Sequence, residues 1–251
     1  EDGEPFLSKD SDSYGQYLLW YSRFLEQDAL WDDALVVLQE AAQVCEQGKN
    51  LSDHATCLNN IGMIYYSQGQ LDLALDHHQR ALSLYEQVGN PSDIALSFNN
   101  IGAVYDSRGQ LDSALDYYQR SLSLYEQVGN PSDIADSFNN IGYIYYSRGQ
   151  LDSALDYYQR SLSLREQVGN PSDIALSLHN IGYTYYSQGK WQDALPLFSR
   201  SLRLYEQMGQ GFESDVADEL EMIAACYVKL GKIEKGVPYS ERAKKIREQL
   251  K

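Results

Sequence analysis

Four histidines, three cysteines and a surplus of aspartates are the residues of this 251-residue chain whose types could support metal, redox or acid–base chemistry. His54 and Cys57 stand three apart on what would be one helical face, but two ligands without a third nearby make a poor zinc site. His77 and His78 are adjacent, so on a helix they point in different directions and cannot share an ion by themselves. Cys45, Cys57 and Cys226 occupy apolar-patterned positions and read as buried structural thiols. Their odd number and lack of framework spacing favour a reducing compartment. The recurring acids Asp72/Asp76, Asp112/Asp116 and Asp152/Asp156 read as a charged outer face for which solvation accounts. There is no phosphate-cradling glycine loop, no nucleophile elbow and no paired carboxylates in a plausible cleft. The chain is therefore expected not to be an enzyme, and to carry no cofactor and no metal.

Charge narrows the partners. With 36 acidic and 20 basic residues the net charge is −16, which opposes a broad hold on nucleic acid phosphates or anionic lipid. No apolar run approaches the roughly 20 residues that cross a bilayer, and no signal-like start is visible. The expectation is a cytoplasmic protein with neither nucleic acid nor membrane as partner. An apolar share of 43% is enough to close a core. The first residue is Glu1, not Met, which reads as a piece of something longer.

The elements that would position these residues are set by an internal period. The segment Gly89–Val128 recurs as Gly129–Val168 with five changes in 40 residues. Stepping by 40 places Leu71, Leu111, Leu151 and Trp191 in register, and Trp31 joins them in a more divergent first copy. A sixth copy follows a two-residue insertion: Asp215-Val216-Ala217 matches Asp173-Ile174-Ala175. Six copies fill nearly the whole chain, which predicts one solenoid over residues 1–251, with repeats near 14–50, 51–90, 91–130, 131–170, 171–210 and 213–251.

Each copy reads as two helices. Ile94, Phe98, Ile101 and Tyr105 follow helical spacing, as do Leu111, Ala114, Leu115, Tyr118, Leu122 and Tyr125. Gly109 tolerates positive φ between them, and Gly89-Asn90-Pro91 supplies a helix-ending glycine, an N-cap and a first-turn proline in succession. Asp76/Arg80, Asp116/Arg120 and Asp156/Arg160 stand four apart, worth only ~0.3–0.5 kcal/mol each as exposed pairs.

The run Phe98 to Leu122, with Ile101-Gly102, Tyr105, Gly109, Ala114, Tyr118 and Ser121, resembles a tetratricopeptide (TPR) repeat. Copies two to five match; the sixth departs at Gly236 and Ser240, and the first at Ser22 and Leu25. The 40-residue period exceeds the usual ~34 and is similar to the extended repeats of kinesin light chain, spindle-orientation adaptors and bacterial and archaeal sensor proteins. The resemblance implies an all-α fold, a right-handed superhelix (α-solenoid) of six helix-turn-helix pairs, used as a non-catalytic protein or peptide-binding scaffold or adaptor.

It also implies that the first helix of each pair lines a concave groove. Copies three and four differ at Leu96/Asp136, Ala103/Tyr143, Val104/Ile144, Asp106/Tyr146 and Tyr125/Arg165. The changes at 96, 103 and 106 fall on one stripe, roughly opposite the Ile94/Phe98 face and so toward solvent. Free drift accounts for Leu96/Asp136 as well as selection does. Drift accounts poorly for the stripe's composition: Asn59, Met63 and Tyr66; Asn99, Ala103 and Asp106; Asn139, Tyr143 and Tyr146; His179, Tyr183 and Tyr186. These residues supply contact area and adaptable hydrogen bonds at low entropic cost. Asn60, Asn100, Asn140 and Asn180 lie at its edge, where they would hold a ligand backbone, bond to the neighbouring repeat, or do both. The stripe carries no Lys or Arg, and no lysine lies between Lys49 and Lys190, so acidic peptides are disfavoured. With Asp106 and Asp136, neutral, apolar or basic ligands are expected.

Residues 1–50 carry −8 and Lys229–Lys251 carry +5, an acidic array with a basic end whose last helix is either an interaction patch or a complement to its own macrodipole. Two other roles fit the same sequence: the sensor or regulatory segment of a larger signalling enzyme, nucleotide-hydrolysing or protease, and a self-assembling repeat that forms homo-oligomers.

Overall fold

The computed structural model describes residues 12–27 and 30–250; the ends of the expected 1–251 array, residues 1–11 and 251, lie outside them. Among the described residues there are twelve helices and no strand, in consecutive antiparallel pairs. One compact unit ends at Val128 and contains α1 (Asp12–Gln27), α2 (Trp31–Gln47), α3 (Leu51–Ser67), α4 (Leu71–Val88), α5 (Pro91–Ser107) and α6 (Leu111–Val128). The other begins at Gly129 and contains α7 (Pro131–Ser147), α8 (Leu151–Val168), α9 (Pro171–Ser187), α10 (Trp191–Met208), α11 (Glu213–Lys229) and α12 (Ile233–Gln249). In each unit the second helix of a pair packs on the first helix of the next.

The punctuation acts as the sequence predicts. Gly89 takes a left-handed φ of 82° to end α4, and Asn90 then accepts the Ser92 N–H at 3.0 Å to open α5. Asn130 and Asn170 do the same for Ser132 and Ser172. Gly109, at φ 71°, turns α5 into α6.

Helices within a pair approach at a glycine set against a ring. A Cβ at Gly102 would come within 2.9 Å of the Tyr118 ring, at Gly142 within 2.8 Å of Tyr158, and at Gly182 within 3.0 Å of Phe198. His78 takes the ring position opposite Gly62, at 2.8 Å. Beside this contact Ala95, Ala114, Ala135, Ala154, Ala175 and Ala194 are fully buried. The hydroxyls of Ser121, Ser161 and Ser201 donate across the pair to the carbonyls of Ala95, Ala135 and Ala175 at 2.8, 2.8 and 3.0 Å. The sixth pair, whose signature departs at Gly236 and Ser240, closes differently. Ala224 stands where the second to fifth pairs have glycine, and a Cβ at Gly236 would lie 3.1 Å from the Ala224 carbonyl. The small residue has changed helices, so the pair stays close without a ring.

The outer face is more than solvated charge. Arg80–Asp76 and Arg160–Asp156 pair at 3.6 and 3.9 Å, as the four-residue spacing predicts. Arg120 and Arg160 also lie 3.9 Å above the rings of Phe98 and Phe138. Asp72 pairs with Arg108 of the next repeat, and Asp152 accepts from Gln188 at 2.9 Å. These acids therefore stitch repeats together. Among the described residues no helix is long and apolar enough to cross a membrane.

The Gly142 contact has a measurable cost if crowded. Gly142→Val forces the Tyr158 ring out of place and is expected to lower the unfolding free energy by about 1–3 kcal/mol. An unchanged urea midpoint would show that the ring has room to move.

Candidate functional site

The first helices carry the predicted stripe, and the structure sorts its residues into two sets. One set bonds consecutive first helices to each other. In the first unit Asn100 Nδ2 donates to Asn59 Oδ1 at 2.9 Å, and both side chains are buried. In the second, Asn180 Nδ2 donates to Asn139 Oδ1 at 2.8 Å. Asn99 and Asn140 are also partnered and half-buried or nearly so, as is Asn60 by burial. Two turns further on, the Tyr66 and Tyr146 hydroxyls bond Ser107 and Ser187, each at 2.8 Å. Of the two roles open to the edge asparagines, Asn100 and Asn180 thus perform the inter-repeat one.

The other set faces outward. Met63, Tyr143 and Tyr183 occupy one register position and are 47%, 49% and 41% exposed. In the second unit the rings join into a patch: Tyr183 stacks on Tyr186 with centroids 6.5 Å apart, stacks on His179 at 6.1 Å, and tilts against Tyr146 at 5.7 Å. Asp106 is half-buried in the first unit, and its carboxyl is held above the ordinary range by that burial.

His77, His78 and the three cysteines are taken up in packing. His77 packs on Tyr65 at 5.4 Å, while His78 turns inward, its Nδ1 3.1 Å from Asn59 Oδ1. Because that oxygen only accepts, the His78 proton sits on Nδ1. Burial, with His77 beside it, drives His78 down to about 4. Cys45, Cys57 and Cys226 are buried thiols outside any disulfide. Burial pushes the Cys57 thiol up, and that of Cys226 up to about 11, which leaves them poor nucleophiles. Among the described residues no group of three or more His, Cys, Asp or Glu is placed to hold a metal ion.

Two of the five differences between the third and fourth copies turn out to be one. Asp136, assigned above to the groove's free charge, lies 2.8 Å from the nearly buried Arg165 guanidinium. Where the third copy has Leu96 and Tyr125, the fourth has a charge pair. The sixth repeats it as Asp218–Arg247, again 29 residues apart, and the second has Thr56 bonded to Tyr85 at 3.0 Å. That constant spacing is the signal by which the sequence alone could have joined the two positions. Two cations of the basic tail are likewise engaged: Arg247 also bonds Glu221 and Ser214, and Arg242 bonds Glu206.

A family model described as tetratricopeptide repeat matches residues 16–87, 53–127 and 133–207. No curated protein matches the chain in sequence. Among solved structures, BtubC (BKLC) from P. vanneervenii is similar with a TM-score of 0.71 and 19% identity, over 98% of this chain and 93% of that one. The apo form of the quorum sensor NprR from B. thuringiensis gives 0.74 and 20%, over 94% of this chain and 65% of that one. A Rap protein complexed with Competence and Sporulation Factor gives 0.66 and 15%, over 94% and 76%. At these identities the likeness is one of fold.

Two outcomes follow from the buried polar pairs. Asp136→Leu alone strands the Arg165 charge and should cost about 1–3 kcal/mol. Adding Arg165→Tyr recreates the third repeat's pair and should return stability to within about 1 kcal/mol of the parent; additive losses in denaturation would refute the coupling. For His78, the folded chain binds fewer protons than the unfolded one between the ordinary 6.5 and about 4. Its stability contribution is therefore complete above that window and lost as pH falls through it, at no more than about 1.4 kcal/mol per unit. His78→Tyr, which copies Tyr118 and Tyr158, should make the urea midpoint less sensitive to acid between pH 7 and 4.

Proposed function

We propose that this chain, which belongs to the tetratricopeptide repeat family, is a non-catalytic adaptor whose first helices bind a protein or peptide partner. The observation that carries this reading is the exposure of Met63, Tyr143 and Tyr183 at one register position. Around them, Asn59, Asn100, Asn139 and Asn180 spend their amides on holding first helices together. The scaffold is thus rigid where it is polar, and what it offers outward is aromatic or thioether surface. Large apolar side chains recurring on one face mark interaction surfaces. Tyrosines with locked neighbours lose little entropy on binding.

The fold supports the reading. One similar structure is that of a quorum sensor and another is a complex with Competence and Sporulation Factor, so this architecture serves ligand recognition elsewhere. Partner chemistry follows from charge. The net charge of −16 and the absence of lysine between Lys49 and Lys190 favour neutral, apolar or basic ligands over acidic ones. Asp136 is no part of that preference, because Arg165 holds it. Nucleic acid and membrane are not among the proposed partners.

Tyr143→Ala and Tyr183→Ala test the surface against a partner isolated by pull-down with the intact chain. Each is expected to weaken binding by about tenfold or more, the loss typical of a central aromatic anchor. Unchanged affinity in both variants, with helical circular dichroism preserved, would refute the assignment.

A further inference from the structure

The fourth and fifth repeats meet around a guanidinium supplied by the chain itself. Arg165, at the end of α8, is nearly buried. It bonds Asp136 Oδ1 at 2.8 Å, the Asp173 carbonyl at 3.1 Å and Ser177 Oγ at 3.0 Å. The fifth and sixth repeats meet at the equivalent place, where three of the four positions have changed and the aspartate is kept. Tyr205 stands for Arg165, Leu176 for Asp136, Asp215 for Asp173 and Glu219 for Ser177. The cation has been removed, and the carboxylate lost at Leu176 is replaced by one at Glu219.

What remains is a cavity of about 200 Å³ lined by Leu176, His179, Tyr205, Asp215, Asp218 and Glu219. Its size suits one side chain or a small head group, being below the ~300 Å³ from which whole-ligand pockets start. Glu219 is 1% exposed. Its Oε1 accepts from His179 Nδ1 at 2.7 Å and shares the single Ser201 hydroxyl proton, at 2.9 Å, with the Ala175 carbonyl, while its Oε2 has no partner among the described residues. A buried carboxylate oxygen left unpaired is costly, and a donor brought by a ligand removes the cost. At the equivalent position the second to fifth repeats keep a small residue, Cys57, Ser97, Ser137 or Ser177, so the sixth repeat alone of these carries a buried acid.

The charges around the cavity leave it negative. Asp218 is engaged by Arg247, and Arg165, whose charge reaches Tyr205, is held by Asp136. Burial pulls His179 down, but the hydrogen bond and charge of Glu219, with Asp218 and Asp215, outweigh it and raise the imidazole above its ordinary value. Charged, His179 offsets one carboxylate, and Asp215 remains. The Tyr205 phenol registers the excess, pushed up to about 12 by burial and by Asp215, Glu219 and Asp218. Leu176, 40% exposed, gives an apolar wall for an aliphatic stem.

We propose that this cavity receives the guanidinium of an arginine side chain carried by the bound partner, in the place that Arg165 fills from within one repeat earlier. Glu219 Oε2 accepts from the fork, Asp215 supplies the second charge, and Leu176 and Tyr205 flank the stem. The proposal rests on the adaptor reading for the source of the arginine, and the site itself is testable without a partner.

The probe is acetyl-arginine amide titrated into the intact chain, followed by amide chemical shifts, with acetyl-citrulline amide as the neutral isostere. Saturable shifts are expected to converge on Leu176, His179 and Glu219, with citrulline about tenfold weaker or more. The variant Leu176→Asp/Tyr205→Arg rebuilds the earlier junction, fills the cavity with the chain's own guanidinium and should abolish the response. If it fails to fold, Asp215→Asn, on the half-exposed rim, should weaken the arginine probe about threefold or more without moving the citrulline response. Equal responses to arginine and citrulline, or undiminished binding by the filled or Asp215→Asn variant, would overturn the site. The probe does not engage Tyr143, so failure here leaves the first-helix surface standing, and failure of the Tyr143 and Tyr183 variants leaves this cavity standing.

Discussion

The contact between a helical glycine and the ring opposite it sets the spacing of the helix pairs. With no Cβ at Gly102, Gly142 or Gly182, the rings of Tyr118, Tyr158 and Phe198 lie almost on the first-helix backbone, and the fully buried alanines beside them admit nothing larger. That approach brings Ser121, Ser161 and Ser201 within reach of the alanine carbonyls across the pair. Inside a unit, the Asn90 and Asn170 caps join one pair to the next with almost no slack. A first helix therefore meets the following first helix in a repeatable register, and only then can Asn100 find Asn59 and Asn180 find Asn139. Without the close pair the asparagine bonds would have no fixed partner.

Repeats in such an array are free to differ where they do not stack, because what they share holds the stacking together. The positions shared by repeats three and four hold the caps, the rings and the alanines. Of their five differences, Leu96/Asp136 and Tyr125/Arg165 are one exchange of an uncharged pair for a charged one. Ala103/Tyr143 and Asp106/Tyr146 change what the first helix shows to its surroundings. Changes within a packed junction must come in pairs, since a lone buried charge costs several kcal/mol. Changes on the exposed face need not, so tyrosine can accumulate there without compensation. The fifth and sixth repeats depart from this logic: Glu219 sits in a junction, but its Oε2 has no compensating partner among the described residues.

Several readings made from residues alone agree with the structure in detail. Helix pairs, their glycine stops, their asparagine caps and the burial of all three cysteines follow from local propensity and period, which act over a few residues. The departures were non-local. Asp72 and Asp152 looked like solvated charge because their partners, Arg108 and Gln188, lie 36 residues away. The stripe looked uniform because Asn59 and Met63 are four apart on one helix, and whether such a residue is covered depends on the next first helix. The tail's cations could be read only as an interaction patch or a macrodipole complement, whereas Arg242 and Arg247 return to Glu206, Asp218 and Glu221.

The division is physical. A 40-residue repeat carries its own helix limits, its glycine and ring, and its apolar face, so the sequence by itself determined the family, the helix pairs and the region where recognition was sought. Tertiary structure decided which polar side chains were already consumed, because hydrogen bonds and ion pairs across a junction depend on distances near 3 Å between residues 29 to 41 positions apart. It left Tyr143 and Tyr183 outward, turned Asn59 and Asn100 inward, and closed Asp136 onto Arg165. Between the fifth and sixth repeats, where Tyr205 stands in place of Arg165, it left Glu219 Oε2 without a partner among the described residues.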